Sequence, residues 1–400
     1  MAEGSILQQA HSLKQELITH RRWLHSHAEV GFDLPQTREY VKSALKDMGY
    51  SPIECGKCGL VAAAGGKKPG KTFLLRADMD ALPIREETGL DFACQNGSMH
   101  ACGHDMHTAM LLGAAKLLKE REDSINGTVK LMFQGAEEIF EGAKDMIGNG
   151  VLKKPDVDAA LMVHVAAGIP LPAGTIIVSA PGVSAPAADY FSIRVQGKGC
   201  HGSSPHLGID PVIPAAQTIL ALENLRAREL APGDKSVLTI GTIHGGTAGN
   251  VIADLVEMQG TVRTYEEKTR AFLKTRVPQI AKNTAAAFRA EAEVEFGSGC
   301  PTLTNDRELS EFTENALSGL LGGSKVLSAA KLGSSQGGGS EDFAYVSQEI
   351  PSLMLALAAG EPDKGYHYPQ HHPKVNFDEE ALPYGCAALA YAAVKYLETH

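Results

Sequence analysis

Four short apolar runs punctuate the chain at Thr72–Leu75, Thr128–Phe133, Ala159–Val165 and Leu353–Leu357. They lack the alternation of a half-solvated strand, so they predict strands buried on both faces. Helical patterns lie between and after them, at Thr108–Arg121 and Leu382–Leu397. Strands alternating with helices predict an α/β domain on a covered, mainly parallel sheet.

The middle of the chain has a different rhythm. Strand patterns at Tyr190–Val195, Val237–Ile243, Leu255–Tyr265 and Ala292–Phe296 interleave with helical patterns at Pro214–Glu229 and Glu266–Ala290. That order is β-α-β-β-α-β, a ferredoxin-like split unit. The Gly, Pro and Ser of Pro181–Pro186 and Gly297–Pro301 flank it as hinge segments do. The pattern therefore predicts a small domain, residues 186–298, inserted into a catalytic domain made of residues 1–185 and 299–400.

The chain has 400 residues, 44% hydrophobic and 21% charged, as expected of a globular protein. Its net charge of −10 argues against a nucleic-acid partner. No stretch approaches the roughly 18 uninterrupted apolar residues that span a bilayer. The first fifteen residues are polar and lack the apolar centre of a signal peptide. A cytoplasmic location is expected, with no membrane partner. Seven scattered cysteines suit that compartment better than a disulfide framework. Cys55 and Cys58 form a C-x-x-C pair, which reads as two free thiols in a Gly-rich loop because no second pair accompanies it.

Four signals carry chemistry. The first is His100-Ala101-Cys102-Gly103-His104-Asp105, with His107 just beyond. A thiolate and an imidazole two residues apart can meet on one metal when the intervening Gly turns the backbone. The second is Glu137-Glu138, directly after the strand Thr128–Phe133. One carboxylate can bind metal while the other faces an activated water. The third is His164, at the end of Ala159–Val165, and the fourth is His371-His372-Pro373. Each alone has a bland alternative: a polar helix start, a solvated Glu pair, a core histidine, a polar loop. Together they sit at strand ends and in loops, where open α/β sheets gather functional groups. Thiolate, imidazole and carboxylate together suit a first-row metal ion.

The chain resembles the aminoacylase and hippurate-hydrolase branch of the dinuclear metallopeptidases, which includes plant auxin-conjugate amidohydrolases. The resemblance runs through Trp23-Leu24-His25, Arg76–Pro83, His100–Asp105, Ala136-Glu137-Glu138, His201–Pro211, Gly245–Ile252, Gly339–Phe343 and His371–Pro373. It implies two divalent ions, zinc or manganese first, with cobalt or nickel compatible, held by Cys102, His104, Glu138, His164 and His371. It implies Cys102 as a bridge and Glu137 as general base. The insert would be a lid and dimerisation domain. His201 and Asn250 would hold the substrate or the oxyanion, His201 from either subunit of a homodimer. Asp80 matches a residue that supports the ligands without binding metal. Three positions depart from the family pattern. Gly135 and Ala253 stand where Pro is frequent, and His372 fills a slot usually small and polar, which leaves His371 and His372 as rival ligands.

The expected reaction is hydrolysis of the amide bond of N-acyl amino acids or similar small conjugates, by an ion-activated water with Glu137 as base. The alternative is a dipeptidase or carboxypeptidase of the same mechanism. Two rivals use other chemistry: a cysteine hydrolase with Cys102 as nucleophile, and a metal-binding protein without catalysis.

Overall fold

The computed structural model describes residues 4–332 and 339–400. They form two compact units. One takes residues 4–184, 303–332 and 341–400; the other takes 185–302 with 339–340.

The first unit is mixed α/β, built on an eight-stranded sheet. Its strand order is Ile53–Cys55, Gly59–Gly65, Thr128–Gln134, Thr72–Asp78, Ala159–Ala166, Ser352–Ala358, Ile176–Val178 and Val326–Ser328. The four central strands, from Thr128–Gln134 to Ser352–Ala358, run parallel to one another. Every residue of Thr72–Asp78 is buried. The helices His104–Lys119 and Leu382–Thr399 are buried along most of their length, as covering a parallel sheet requires.

All four apolar runs are strands here, longer than the runs by one to three residues. The helix expected at Thr108–Arg121 begins four residues earlier, at His104. His104, Asp105 and His107, which precede the expected helix, are all buried in its first turn. The C-x-x-C pair is not in an open loop. It forms the hairpin turn between Ile53–Cys55 and Gly59–Gly65, with both thiols free and buried.

The second unit has strands Ala187–Gln196, Ser236–Gly245, Leu255–Thr264 and Glu291–Cys300, with helices Val212–Asn224 and Glu267–Ala287 between them. All its pairings are antiparallel. In chain order the strands lie 2-3-1-4 across the sheet. Along Ala187–Gln196, Phe191, Ile193 and Val195 are buried while Tyr190, Arg194 and Gln196 are exposed, so one face joins a core with the helices. Gly297 and Ser298 fall inside the last strand, where the register shifts between Phe296 and Gly299. A bulge absorbs the glycines without ending the strand.

Among the described residues, no helix is long and apolar enough to cross a membrane.

Candidate metal centre

The C-terminal ends of the central strands and the loops that follow them converge on Cys102. Gly103 makes the first convergence possible. It is left-handed at φ 93°, and a side chain there would run into Val165 Cγ2, at 2.3 Å from its Cβ. The chain therefore turns sharply between Cys102 and His104 and starts the helix against the strand carrying His164.

The donor atoms of Cys102, His104 and His164 all lie within 4.8 Å of one another, as do those of Cys102, Glu138 and His371. Cys102 belongs to both triads. Those of His104, Glu137 and Glu138 form a third group of the same span.

The imidazoles are aimed by their second nitrogens. His104 Nδ1 donates to the Asp80 carbonyl at 2.8 Å, and His164 Nδ1 donates to the Val165 carbonyl at 2.7 Å. Each presents Nε2 to the cluster, as metal-binding imidazoles do. Asp80, wholly buried, also accepts the amides of Glu137 at 3.0 Å and Glu138 at 3.2 Å. One carboxylate thus fixes both ends of the Glu137-Glu138 turn. His107 is differently occupied. Its Nδ1 donates to Asp78 at 2.6 Å and its Nε2 accepts from the Val165 amide at 2.8 Å, leaving no free lone pair for a metal.

The structure also separates the two adjacent histidines. His371, at φ 66°, lies 3.5 Å from Glu138 through Nε2. His372 accepts from the Lys374 amide and stacks on Tyr368 with centroids 4.3 Å apart. The Gly135 departure has a packing reason. A Cβ there would fall 2.5 Å from Cys58 Sγ and 2.4 Å from Leu34 Cδ1, so these side chains fill the space instead.

The electrostatics show a site short of positive charge. Burial pushes the Cys102 thiol up, but the His164 charge and the close imidazoles of His104, His164 and His371 outweigh it and lower the thiol to about 6. Burial disfavours charge on His164, yet Cys102 raises it to about 9. The neighbouring Cys102 thiol and Glu138 carboxylate raise His371 to about 10. Burial, then the charges of Glu341, Glu138 and Asp342, push Glu137 well above the carboxylate range. His104 Nε2 and Glu138 Oε1 are buried with no hydrogen-bond partner. Orphaned donor atoms around a thiolate are what a bound cation would satisfy.

His201 and Asn250 lie in the second unit. A two-residue ladder brings them together, with His201 opposite Val251. Both are exposed. His201 Nδ1 meets Ser203 Oγ at 2.8 Å, and the Asn250 carbonyl accepts from the Gly202 amide at 2.7 Å.

Sequence reasoning gave no role to Arg76, Asp78, Gln134, Glu341 or Asp342. All are buried: Asp78 lies 3.7 Å from His104, the Glu341 and Asp342 carboxylates lie within 4.8 Å of Glu137, and Arg76 and Gln134 donate to Asp342. Their signal was Arg76 and Asp78 inside an otherwise apolar strand, since charges buried in a sheet come with partners.

A mainly parallel α/β sheet whose strand ends gather a thiol, imidazoles and paired carboxylates has the makings of a metal-dependent hydrolase. The chain belongs to peptidase family M20/M25/M40, whose model matches residues 74–395. It is 37% identical to an N-acetyl-L-cysteine deacetylase of Bacillus subtilis, over 97% of this chain and 90% of that protein. It is 36% identical to an IAA-amino acid hydrolase of Arabidopsis thaliana, over 94% and 84% respectively. The fold is similar to that of a dinuclear metal-binding M20 peptidase from Bacillus subtilis, with a TM-score of 0.77 and 33% identity, covering 97% and 99%. The protein is a metal-dependent hydrolase of this family.

Proposed function

We propose that the chain hydrolyses the amide bond of N-acyl amino acids or similar small amide conjugates, with Glu137 as general base. The observation that carries this reading is the sharing of Cys102 by two donor triads, with Glu137 beside His104 and Glu138. Two triads joined through one thiolate suit two divalent ions. His104 and His164 would serve one, Glu138 and His371 the other, and Cys102 both. Bound there, the ions would supply a lowered pKa for a water and polarisation of the scissile carbonyl. Glu137 takes the proton of the attacking water and passes it to the leaving amine, first base and then acid. Asp80 holds Glu137 and Glu138 in register while this happens. The mixed thiolate, imidazole and carboxylate set favours zinc or manganese, with cobalt or nickel compatible.

The second unit reads as a ferredoxin-like lid and dimerisation domain, residues 186–298, between catalytic segments 1–185 and 299–400. Its βαββαβ order and antiparallel sheet support this. Its edge strand Ser236–Gly245 exposes Val237 and Ile243, which suits pairing with a second copy. His201 and Asn250 would hold the substrate or stabilise the oxyanion. Seven free thiols support a cytoplasmic location.

The test is a substrate panel on metal-stripped protein reloaded with Zn²⁺, Mn²⁺, Co²⁺ or Ni²⁺. N-acetyl, N-benzoyl and N-indoleacetyl amino acids are compared with free dipeptides. Turnover of the acylated set after reloading is expected. Turnover of dipeptides alone would replace the reading by a dipeptidase of the same mechanism. Equal turnover without metal would end it.

A further inference from the structure

The Gly339–Phe343 stretch has no part in the mechanism above, yet it supplies two of the buried carboxylates nearest Glu137. A general base must hold its carboxylate in one orientation, because a shift of an ångström can cost on the order of 100-fold in rate. Asp80 fixes the backbone of Glu137 but not its side chain. The side chain meets the backbone amide of Asp342, which donates to Glu137 Oε1 at 3.3 Å.

That amide is held in place by its own side chain. Asp342 is wholly buried and accepts from Arg76 Nη2 at 2.8 Å. Gln134 Nε2 donates to both its oxygens, at 2.7 and 2.8 Å, and the Ala143 amide donates at 2.9 Å. Arg76 and Gln134 stand on neighbouring parallel strands, and Ala143 lies in the first turn of the helix after the Glu137 loop. One carboxylate therefore ties together the strand before that loop, the strand beside it and the helix after it. Glu341 tightens the same turn, accepting from the Phe343 amide at 3.0 Å and meeting Arg76 Nη2 at 2.9 Å.

We propose that Asp342 is a positioning residue for the reaction: its anchored carboxylate fixes the turn whose backbone amide orients Glu137. This rests on Glu137 being the base. Asp342→Asn keeps the size of the side chain but turns an amide NH₂ toward Gln134 Nε2 or the Ala143 amide, donor against donor. The turn must move, and Glu137 loses its orientation without losing its chemistry.

The experiment uses the metal-loaded full chain and the best acylated substrate from the panel. Glu137→Asp is measured first, because it shortens the carboxylate away from the Asp342 amide. A wild-type rate for Glu137→Asp and for Glu137→Gln would remove Glu137 as base, and the proposal with it. With Glu137 established, Asp342→Asn is made in the wild type and in Glu137→Asp. The expected result is a kcat lower by about 100-fold in the wild-type background, at the scale of a misplaced catalytic group. KM should stay within roughly three-fold, since binding is not what is lost. Metal content by elemental analysis should not change. In the Glu137→Asp background the further loss should be within about two-fold, because residues acting through one another are not additive. The same full loss in both backgrounds, loss of metal, or an unchanged kcat would each overturn the proposal. Should Asp342→Asn fail to fold, Gln134→Leu removes two of the four bonds without altering charge. It should give the same pattern at about 10-fold, a partial version of the same displacement. A wild-type kcat for Gln134→Leu would overturn the proposal equally.

Discussion

Around Cys102 the side chains are held from behind: His104 by the Asp80 carbonyl, His164 by the Val165 carbonyl, Glu138 through its amide by the Asp80 carboxylate. At the Cys200–His201 ladder, His201 is exposed and, among the described residues, its ring is held only by its neighbour Ser203. The first region carries its geometry in the fold, which suits a metal site where ligand positions must be set before the ion arrives. The second offers an imidazole whose geometry is completed by whatever it meets. The two regions should therefore fail in different ways when altered.

The largest effect is expected from removing what the first region holds. Prolonged chelation should abolish amide hydrolysis, and a divalent ion should restore it. A thiol bound to metal is not a free nucleophile. Iodoacetamide should therefore modify Cys102 faster in stripped than in reloaded protein. Equal reactivity in both states would take the thiol out of the metal site. An acyl group trapped on Cys102 would establish the cysteine-hydrolase mechanism instead.

Within the first region, adjacent carboxylates should separate by role. Glu137→Gln should keep its metal and lose roughly 100- to 10,000-fold in rate, the range of a missing general acid–base. Glu138→Gln should lose metal, because Glu138 shares a donor triad with Cys102 and His371. Elemental analysis of the two variants checks the assignment. Metal loss from Glu137→Gln, or a near-normal rate, would reverse or cancel it.

The ease of reading these residues in the sequence was uneven, for physical reasons. The central strands were legible because strands buried on both faces are unbroken apolar runs. Gly59–Gly65 was not, since Gly-Leu-Val-Ala-Ala-Ala-Gly has weak strand preference and is shaped by its neighbour Thr128–Gln134. Cys102, His104 and the Glu137-Glu138 pair were legible because each motif packs its chemistry into a few residues. The support behind them was hidden. Arg76 and Asp342 stand 266 residues apart and pair only once the sheet has formed. The different placements of His371 and His372 likewise depend on a loop whose stacking against Tyr368 no local pattern announces.

The second region should give a cleaner kinetic change with less effect on the fold. His201→Ala should lower the rate by roughly 100- to 1000-fold, the worth of one oxyanion donor, with metal content unchanged. Mixing it with Glu137→Gln tests where the imidazole acts. If His201 serves the partner subunit's site, mixed dimers hold one site with both residues intact and recover part of the activity. No recovery despite proven subunit exchange would place it in its own chain's site. A normal rate for His201→Ala would remove it from the mechanism.

The smallest expected effect concerns the frame that carries His201, and it is read in stability rather than rate. Asp189, buried in the strand Ala187–Gln196, accepts from Arg270 at 2.7 and 2.8 Å and from Lys274 at 2.8 Å. Burial pushes its carboxyl up, but the hydrogen bonds from Arg270 and Lys274 outweigh this and hold it below the ordinary value. A carboxyl lowered in the folded state stabilises fully above its unfolded pKa, near 3.9, and loses that contribution as pH falls through the lower folded value. Asp189→Asn should therefore weaken this unit by about 2 kcal/mol at pH 7, the scale of hydrogen bonds to a charged group. The deficit should shrink toward pH 3, where the wild type is surrendering the same contribution. Hydrogen exchange of the Ala187–Gln196 amides, corrected for intrinsic rates, measures the gap at both pH values. A gap that stays constant from pH 7 to pH 3 would mean that the charge of Asp189 does not stabilise this sheet, and that helix Glu267–Ala287 is held on it by apolar packing alone.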